Sequence, residues 1–464
     1  MAAIRNARQA VTPKGTERRV ADMKFGLVSD PRKQGKVTFA VAVILRLCVL
    51  AMLSGARSLR DIESRSEQLR PSRREFVGLA EDERVSDNAI GELLPRLSPE
   101  ELRWSLHSQV KGEWYRDRLA PTQLGLSTVA IDGKHQATLR WWKLSDLTKN
   151  VLQAVGDERA QDDSWHPSED DVRSVFSTRF PWVQLCKQED KPMYGLVRAL
   201  RSTLVSSKAA VCLDLHPILG TSNEMATIES CIDELLHVYG RTGMIRRVTT
   251  DAGNTSLRMA TKLHAADIAY FLAIKSPQGD IYAEAVRLLG SDERRPDYSV
   301  SEERSGRTVA YDVWIEPLPA GFLGWTHARQ LVRVRRVTAG DAPDDKTTGD
   351  RYYVSSETPE QLGAKEAQVL SRMHWRCENE GHWTSNTMFK EAARRAPLSR
   401  HPVGVLVGTL VRMLAQNVLA VMRALSLLRT DAKKKLVKPT WRAVMDHFLS
   451  LLFEPLLPAP AFDA

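Results

Sequence analysis

The chain reads as an α/β protein with a β-rich insertion, flanked by N-terminal and C-terminal helical regions. Three observations predict this. Residues 39–120 and 403–428 carry apolar residues at helical spacing. Between 121 and 275, β-rich runs alternate with helical ones, the rhythm of a layered α/β sheet. Residues 276–365 break that rhythm with β-branched and alternating runs.

Residues 1–38 are basic and poor in apolar residues, with Arg5, Arg8, Lys14, Arg18, Arg19 and Lys24 spread along them. They read as an arm, either simply mobile or docking on DNA phosphate. Residues 39–120 read as a helical domain. Its first run, FAVAVILRLCVLAMLSG, is interrupted by Arg46 and ended by Gly55, which favours a buried globular helix over a membrane span. Ser58, Ser86 or Asp87, and Ser98 followed by Pro99 supply helix starts.

LSTVAID, ending at Asp132, is a short β-rich run. After a polar stretch near 157–173, YGLVRALRSTLV and AAVCLDL read as two strands. SNEMATIESCIDELLHVYG is a helix capped by Ser222 or Asn223 and stopped by Gly240. RRVTTD is a strand, SLRMATKLHAA a helix and IAYFLAIK a strand, so crossovers join the later strands. In the insertion, RTVAYDVWIEP, LVRVRRV and RYYVSS are strands. Helical character returns over 366–400, and 401–464 form a helical region with a basic tail that includes Lys433, Lys434 and Lys435.

Lys and Arg exceed Asp and Glu to give a net charge of +9 and a pI near 9.3, which favours a polyanionic partner and no membrane. The five cysteines form no CxxC pair, as expected of a reduced, cytoplasmic protein without a cysteine zinc site. No signal peptide is read at the start.

Asp132 and Asp251 each directly follow a β-rich run, and Glu378 in HWRCENEGHW sits on a helical segment. Two aspartates at strand ends and a helical glutamate are the parts of a site for two divalent cations, of the type that cuts and joins phosphodiesters. On an α-helix Glu380 would point about 200° away from Glu378, so only one of them faces the aspartates. His374 and His382, eight positions apart, are too far separated to grip one zinc ion as an i, i+4 pair would. They flank the carboxylate and touch phosphate or solvent, or are plain surface residues. Asp214 and Glu224 are further acids with plain structural readings, a strand's solvent face and a helix's first turn.

At IDGK, TDAGN and HW-x-x-EN-x-x-HW the chain resembles the DDE-type insertion-sequence transposases, in the group that includes the H-repeat-associated proteins. DPRKQGK with GARSLRDIESRSEQL resembles that family's N-terminal associated domain, and GTSNEMATIESCIDEL and ADIAYFLAIKSPQGDIY resemble the segments around its second Asp. The resemblance implies an RNase H-like catalytic core, a β insertion before the glutamate helix, and magnesium-dependent DNA cleavage and strand transfer. Carried over residue by residue, Asp132, Asp251 and Glu378 are the triad and the ligands of two Mg2+ ions, with Mn2+ as substitute. In the implied mechanism Asp132 bridges both ions, and Asp251 and Glu378 each hold one. One ion activates water for in-line attack, and the freed 3′-hydroxyl then attacks target DNA. Lys134, Asn254, His374, His382 and Lys433–Lys435 are candidate DNA contacts. Related transposases hold a flipped base with an insertion aromatic, a role open here to Trp314 and Trp325 unless both are core residues.

The implied partners are double-stranded DNA, as terminal inverted repeats and as target, bound by a homodimer. The implied location is the bacterial cytoplasm, at the nucleoid when DNA is bound. Departures are a stretch near 140–190 without a family match, Ser385 in place of a lysine, and Lys390-Glu391 in place of an acidic pair. They leave open a structure-specific nuclease without strand transfer, or a decayed or domesticated transposase that only binds DNA.

Overall fold

The computed structural model describes residues 13–454 apart from 34, 36, 305–306, 326, 340–346, 392–397, 427–428 and 431–435. Its N-terminal part is helical: α1 (Pro13–Ala21), α2 (Val41–Leu53), α3 (Leu59–Gln68), α4 (Pro71–Val77), α5 (Asp87–Leu93) and α6 (Pro99–Trp114). Ser58, Ser86 and Ser98 cap α3, α5 and α6 by accepting from backbone N–H groups, as their placement predicts.

The basic arm does not hang free over its described part. Val20, Met23 and Phe25 are buried, and Arg19 pairs with Glu113 of α6 at 2.9 Å. Three apolar side chains and one buried cation anchor a segment whose composition alone looked solvated.

The core is a ten-stranded mixed sheet. β1 (Thr128–Leu139) leads into helices α7 (Trp141–Ala154) and α8 (Glu169–Arg179), which occupy the stretch without a family match. Edge strand β2 (Val183–Cys186), then β3 (Tyr194–Leu204) and β4 (Val211–Pro217), precede α9 (Glu224–Tyr239). β5 (Arg247–Thr250), α10 (Leu257–Ala265) and β6 (Ala269–Ile274) follow. β3 runs antiparallel to β1 and β4, whereas β1, β5 and β6 run parallel, the crossovers being helical.

The insertion opens with a helix, α11 (Asp280–Leu289), and a strand, β7 (Tyr298–Arg304), neither of them read from the sequence. β8 (Arg307–Pro317), β9 (Gln330–Ala339) and β10 (Thr347–Ser355) complete it. It is not a separate layer: β10 pairs antiparallel with β6 and continues the same sheet. Trp314 and Trp325 are 3% and 7% exposed, and Trp314 donates its indole N–H to the Arg294 carbonyl at 2.8 Å. Both are core aromatics, so neither ring is open to a base.

After α12 (Ala364–His374) the backbone forms a π-helix over Cys377–His382 and then α13 (Trp383–Met388). α14 (Pro402–Val421) runs through the middle of the helical part against α2 and α6. The helix from Pro402 to Leu425 is long and apolar enough to cross a membrane, with mean hydropathy 1.7, yet its most apolar stretch is buried within the protein. Its polar side chains have internal partners: Asn417 donates to the Cys212 carbonyl at 2.9 Å and Gln416 accepts from Ser385 at 2.7 Å. The final helix is α15 (Trp441–Leu452).

Candidate active site

Asp132 does not end its strand, as the β-rich run suggested. β1 continues to Leu139 because β3 pairs with it along that length, Asp132 lying opposite Arg201. The parallel partner β5 does stop there: the last paired residues are Ile131 and Thr250. The next residues along the two chains are Asp132 and Asp251, so register alone sets these carboxylates side by side.

Asp251 opens a tight turn, accepting from the Asn254 backbone N–H at 3.2 Å and from the Asn254 amide at 2.8 Å. Asn254 is fully buried, and its amide also reaches Glu224 at 3.3 Å. It positions acids; burial bars it from DNA. Glu224 is the first residue of α9, which Asn223 caps by accepting from Ala226 N–H at 2.9 Å. Its carboxylate lies against Gly133, so three acids from separate elements approach Asp132. Glu224 was legible only as a first-turn acid, since nothing local reports that α9 starts beside β1.

Glu378 is the second residue of the π-helix. Glu380 turns away, bonding Arg376 at 2.8 Å and Lys438 at 3.4 Å. His382 Nδ1 lies 3.5 Å from Asp132 Oδ2. His374 is 4% exposed, with Nδ1 3.5 Å from the Thr249 hydroxyl. Burial pushes His374 down to about 4 and His382 down to about 3, so both rings are neutral. Neither is a surface contact for phosphate, because the helix lies with this face against the sheet.

Burial, followed by the charges of Glu378, Asp251 and Glu224, raises the Asp132 carboxyl to about 7. Burial also raises Glu378; Arg351 opposes that shift and Asp251 adds to it. Among the described residues, no three His, Cys, Asp or Glu side chains are grouped tightly enough to hold a metal ion as they stand.

Two other candidates take structural places. Lys134 is 8% exposed and ion-paired with Glu391, which Arg201 also binds at 2.8 Å. A lysine neutralised inside the protein cannot contact DNA, which corrects its reading as a phosphate contact. Asp214 is 1% exposed and bonded to Arg103 at 2.6 Å and His107 at 3.1 Å, not facing solvent. Lys433, Lys434 and Lys435 lie outside the described residues.

The model of the DDE_Tnp_1-associated family matches residues 23–108. Over 379 residues the chain is 25% identical to YbfL of Escherichia coli (strain K12), spanning 79% of this chain and 82% of that protein. Identity and coverage are the same for the H repeat-associated putative transposase YhhI of that strain. The chain is a relative of the DDE-type transposases. A solved piggyBac transposase synaptic complex with hairpin DNA aligns over 96% of this chain and 81% of that one, at 13% identity and a TM-score of 0.39. In this transposase relative the associated segment spans α2 to α6, and the acids lie beyond it on the sheet and the π-helix.

Proposed function

We propose that the chain is a DNA transposase whose RNase H-like core cleaves DNA at transposon ends and joins the freed 3′-end to target DNA. The observation that carries this reading is the approach of Asp251 and Glu378 to Asp132 from positions far apart in sequence. The antiparallel order β4–β3–β1 followed by parallel β5 and β6 supports the core assignment, and the basic composition supports DNA as substrate.

Magnesium, or manganese in its place, fits the donor set in kind. All the donors are carboxylate oxygens, and a carboxyl raised by burial and by acidic neighbours is one that a cation would return to its ionised form. Asp132, Asp251 and Glu378 would hold two such ions, drawn inward from their present spacing, with Asp132 shared. When bound, the ions supply Lewis-acid activation of an attacking oxygen and charge stabilisation at the leaving one. Asn254 fixes the Asp251 rotamer, and neutral His382 lies beside Asp132. Two DNA ends have to be joined in one event, so the working form is a homodimer on DNA, at the bacterial nucleoid.

The test is incubation of the purified chain with terminal-repeat duplex, supercoiled plasmid and Mg2+. Joined product is expected from the wild type, with a loss of 10³-fold or more in Asp132→Asn and in Glu378→Gln. Cleavage without joining would assign a nuclease. Equal activity in the variants would remove the triad.

A further inference from the structure

A groove of 1210 Å³ is walled by residues of β8, β9 and β10 and by α12 with the π-helix. Lys208, Arg336, Arg351, Arg372, Arg376 and Lys438 line it, against one lining carboxylate, Glu380. Arg376 and Lys438 bind Glu380, and Arg372 binds Glu302 at 2.7 Å. Lys208, Arg336 and Arg351 are exposed and have no carboxylate partner among the described residues. Uncompensated cations gathered in a concavity focus the field on an anion.

One of these cations is held in place by the fold, and another is left uncovered. The Arg351 guanidinium lies 4.2 Å over the Trp375 ring, which orders the planar fork without tying it to a carboxylate. On β9, Arg336 faces Gly349 of β10, which carries no side chain to cover it. The hydroxyls of Thr338, Thr347 and Thr348 complete that wall with neutral donors. Trp375 stands three residues before Glu378, exposed Asn379 directly follows it, and both line the groove. Arg351 is close enough to Glu378 for its charge to act there.

We propose that this groove seats one DNA strand by its phosphates, with Arg336 and Arg351 as the principal contacts, and leads that strand past the glutamate helix to the acids. The proposal rests on the transposase reading for its ligand. A groove of 1210 Å³ has room for a short run of one strand. The chemistry is that of a basic channel tracking a backbone, with bases left free.

The test is fluorescence anisotropy of a labelled 12-nucleotide single strand, titrated with the full chain in EDTA over a range of salt. Each lost phosphate contact lowers the slope of log K against log salt by about 0.7 for a single strand. Arg336→Ala and Arg351→Ala are each expected to show that reduction and the double variant twice it, with a matching duplex less affected. Arg336 is exposed on a strand, so its variant folds even if loss of the Trp375 stack unsettles the other. Wild-type affinity and slope in Arg336→Ala would overturn the proposal. Because EDTA removes cleavage from the measurement, a chain that never cuts DNA yet loses affinity in these variants would keep the groove and sink the catalytic reading. A chain that cuts DNA while the variants bind normally would do the reverse.

Discussion

Gly133 leaves the space that Glu224 fills: a β-carbon built at position 133 would fall 2.0 Å from the Glu224 Oε1. The residue after the first aspartate is therefore a glycine for a reason of contact, and the contact delivers a fourth carboxylate to Asp132.

Gly133→Ala is expected to push that carboxylate aside and leave the strand intact, because the clash is with the end of a flexible side chain. Stability should change by no more than about 1 kcal/mol in urea melts. The Asp132 carboxyl, relieved of one negative neighbour, should titrate below its present value near 7. Carboxyl-carbon NMR titration reads this directly, and an unmoved Asp132 would mean that Glu224 does not act on it.

Asp132 makes metal-free stability fall with pH. Its carboxyl is raised from 3.8 to about 7, so between those values the native state keeps a proton that the unfolded chain has lost. Stability from this group declines as pH rises through that window and is level above it. Asp132→Asn should remove the decline and leave the variant more stable than wild type at pH 8, by on the order of 2–4 kcal/mol. Magnesium should narrow that gap, since only ionised carboxylates bind it. Denaturant melts at pH 5 and pH 8, with and without magnesium, decide the point.

Glu391 neutralises the buried cations of Lys134 and Arg201, which with Arg412 hold its carboxyl well below the usual range. Glu391→Gln should cost about 3–5 kcal/mol, the penalty for stranding buried charge. Lys134→Met should leave the salt dependence of DNA binding as it is in wild type. A slope reduced by one phosphate in that variant would restore Lys134 as a DNA contact.

Asp214 ties α6 to β4 through Arg103 and His107. Asp214→Asn should lower the thermal midpoint, with a loss of about 3–5 kcal/mol. At temperatures where it stays folded, its DNA joining should equal that of wild type. Joining lost without any loss of stability would place Asp214 in the chemistry.

Caps at Ser58, Ser98 and Asn223 were marked by a polar side chain ahead of an apolar period, and the strands β3 to β6 by β-rich composition. Such signals are local, because helix and strand periods are properties of a few consecutive residues. The π-helix around Glu378 was not legible. An α-helical reading of HWRCENEGHW put both histidines on an outer stripe, whereas the widened turn lays His382 against Asp132 and buries His374. The mobile reading of the basic arm does not hold over its described part for a related reason: charge count does not reveal the few apolar residues that pin a segment.

By itself the sequence determined the kinds of elements, their caps and, through family likeness, which acids to suspect. The tertiary structure decided what those acids meet. Asp132 stands beside Asp251 because β5 pairs with β1 only as far as Thr250. Glu224 belongs to their group because α9 starts next to Gly133. Lys134 belongs to the core because Glu391, 257 positions away, folds back onto it. Whether a carboxylate is a ligand or a salt-bridge partner depends on neighbours distant in the chain, and no local pattern records them.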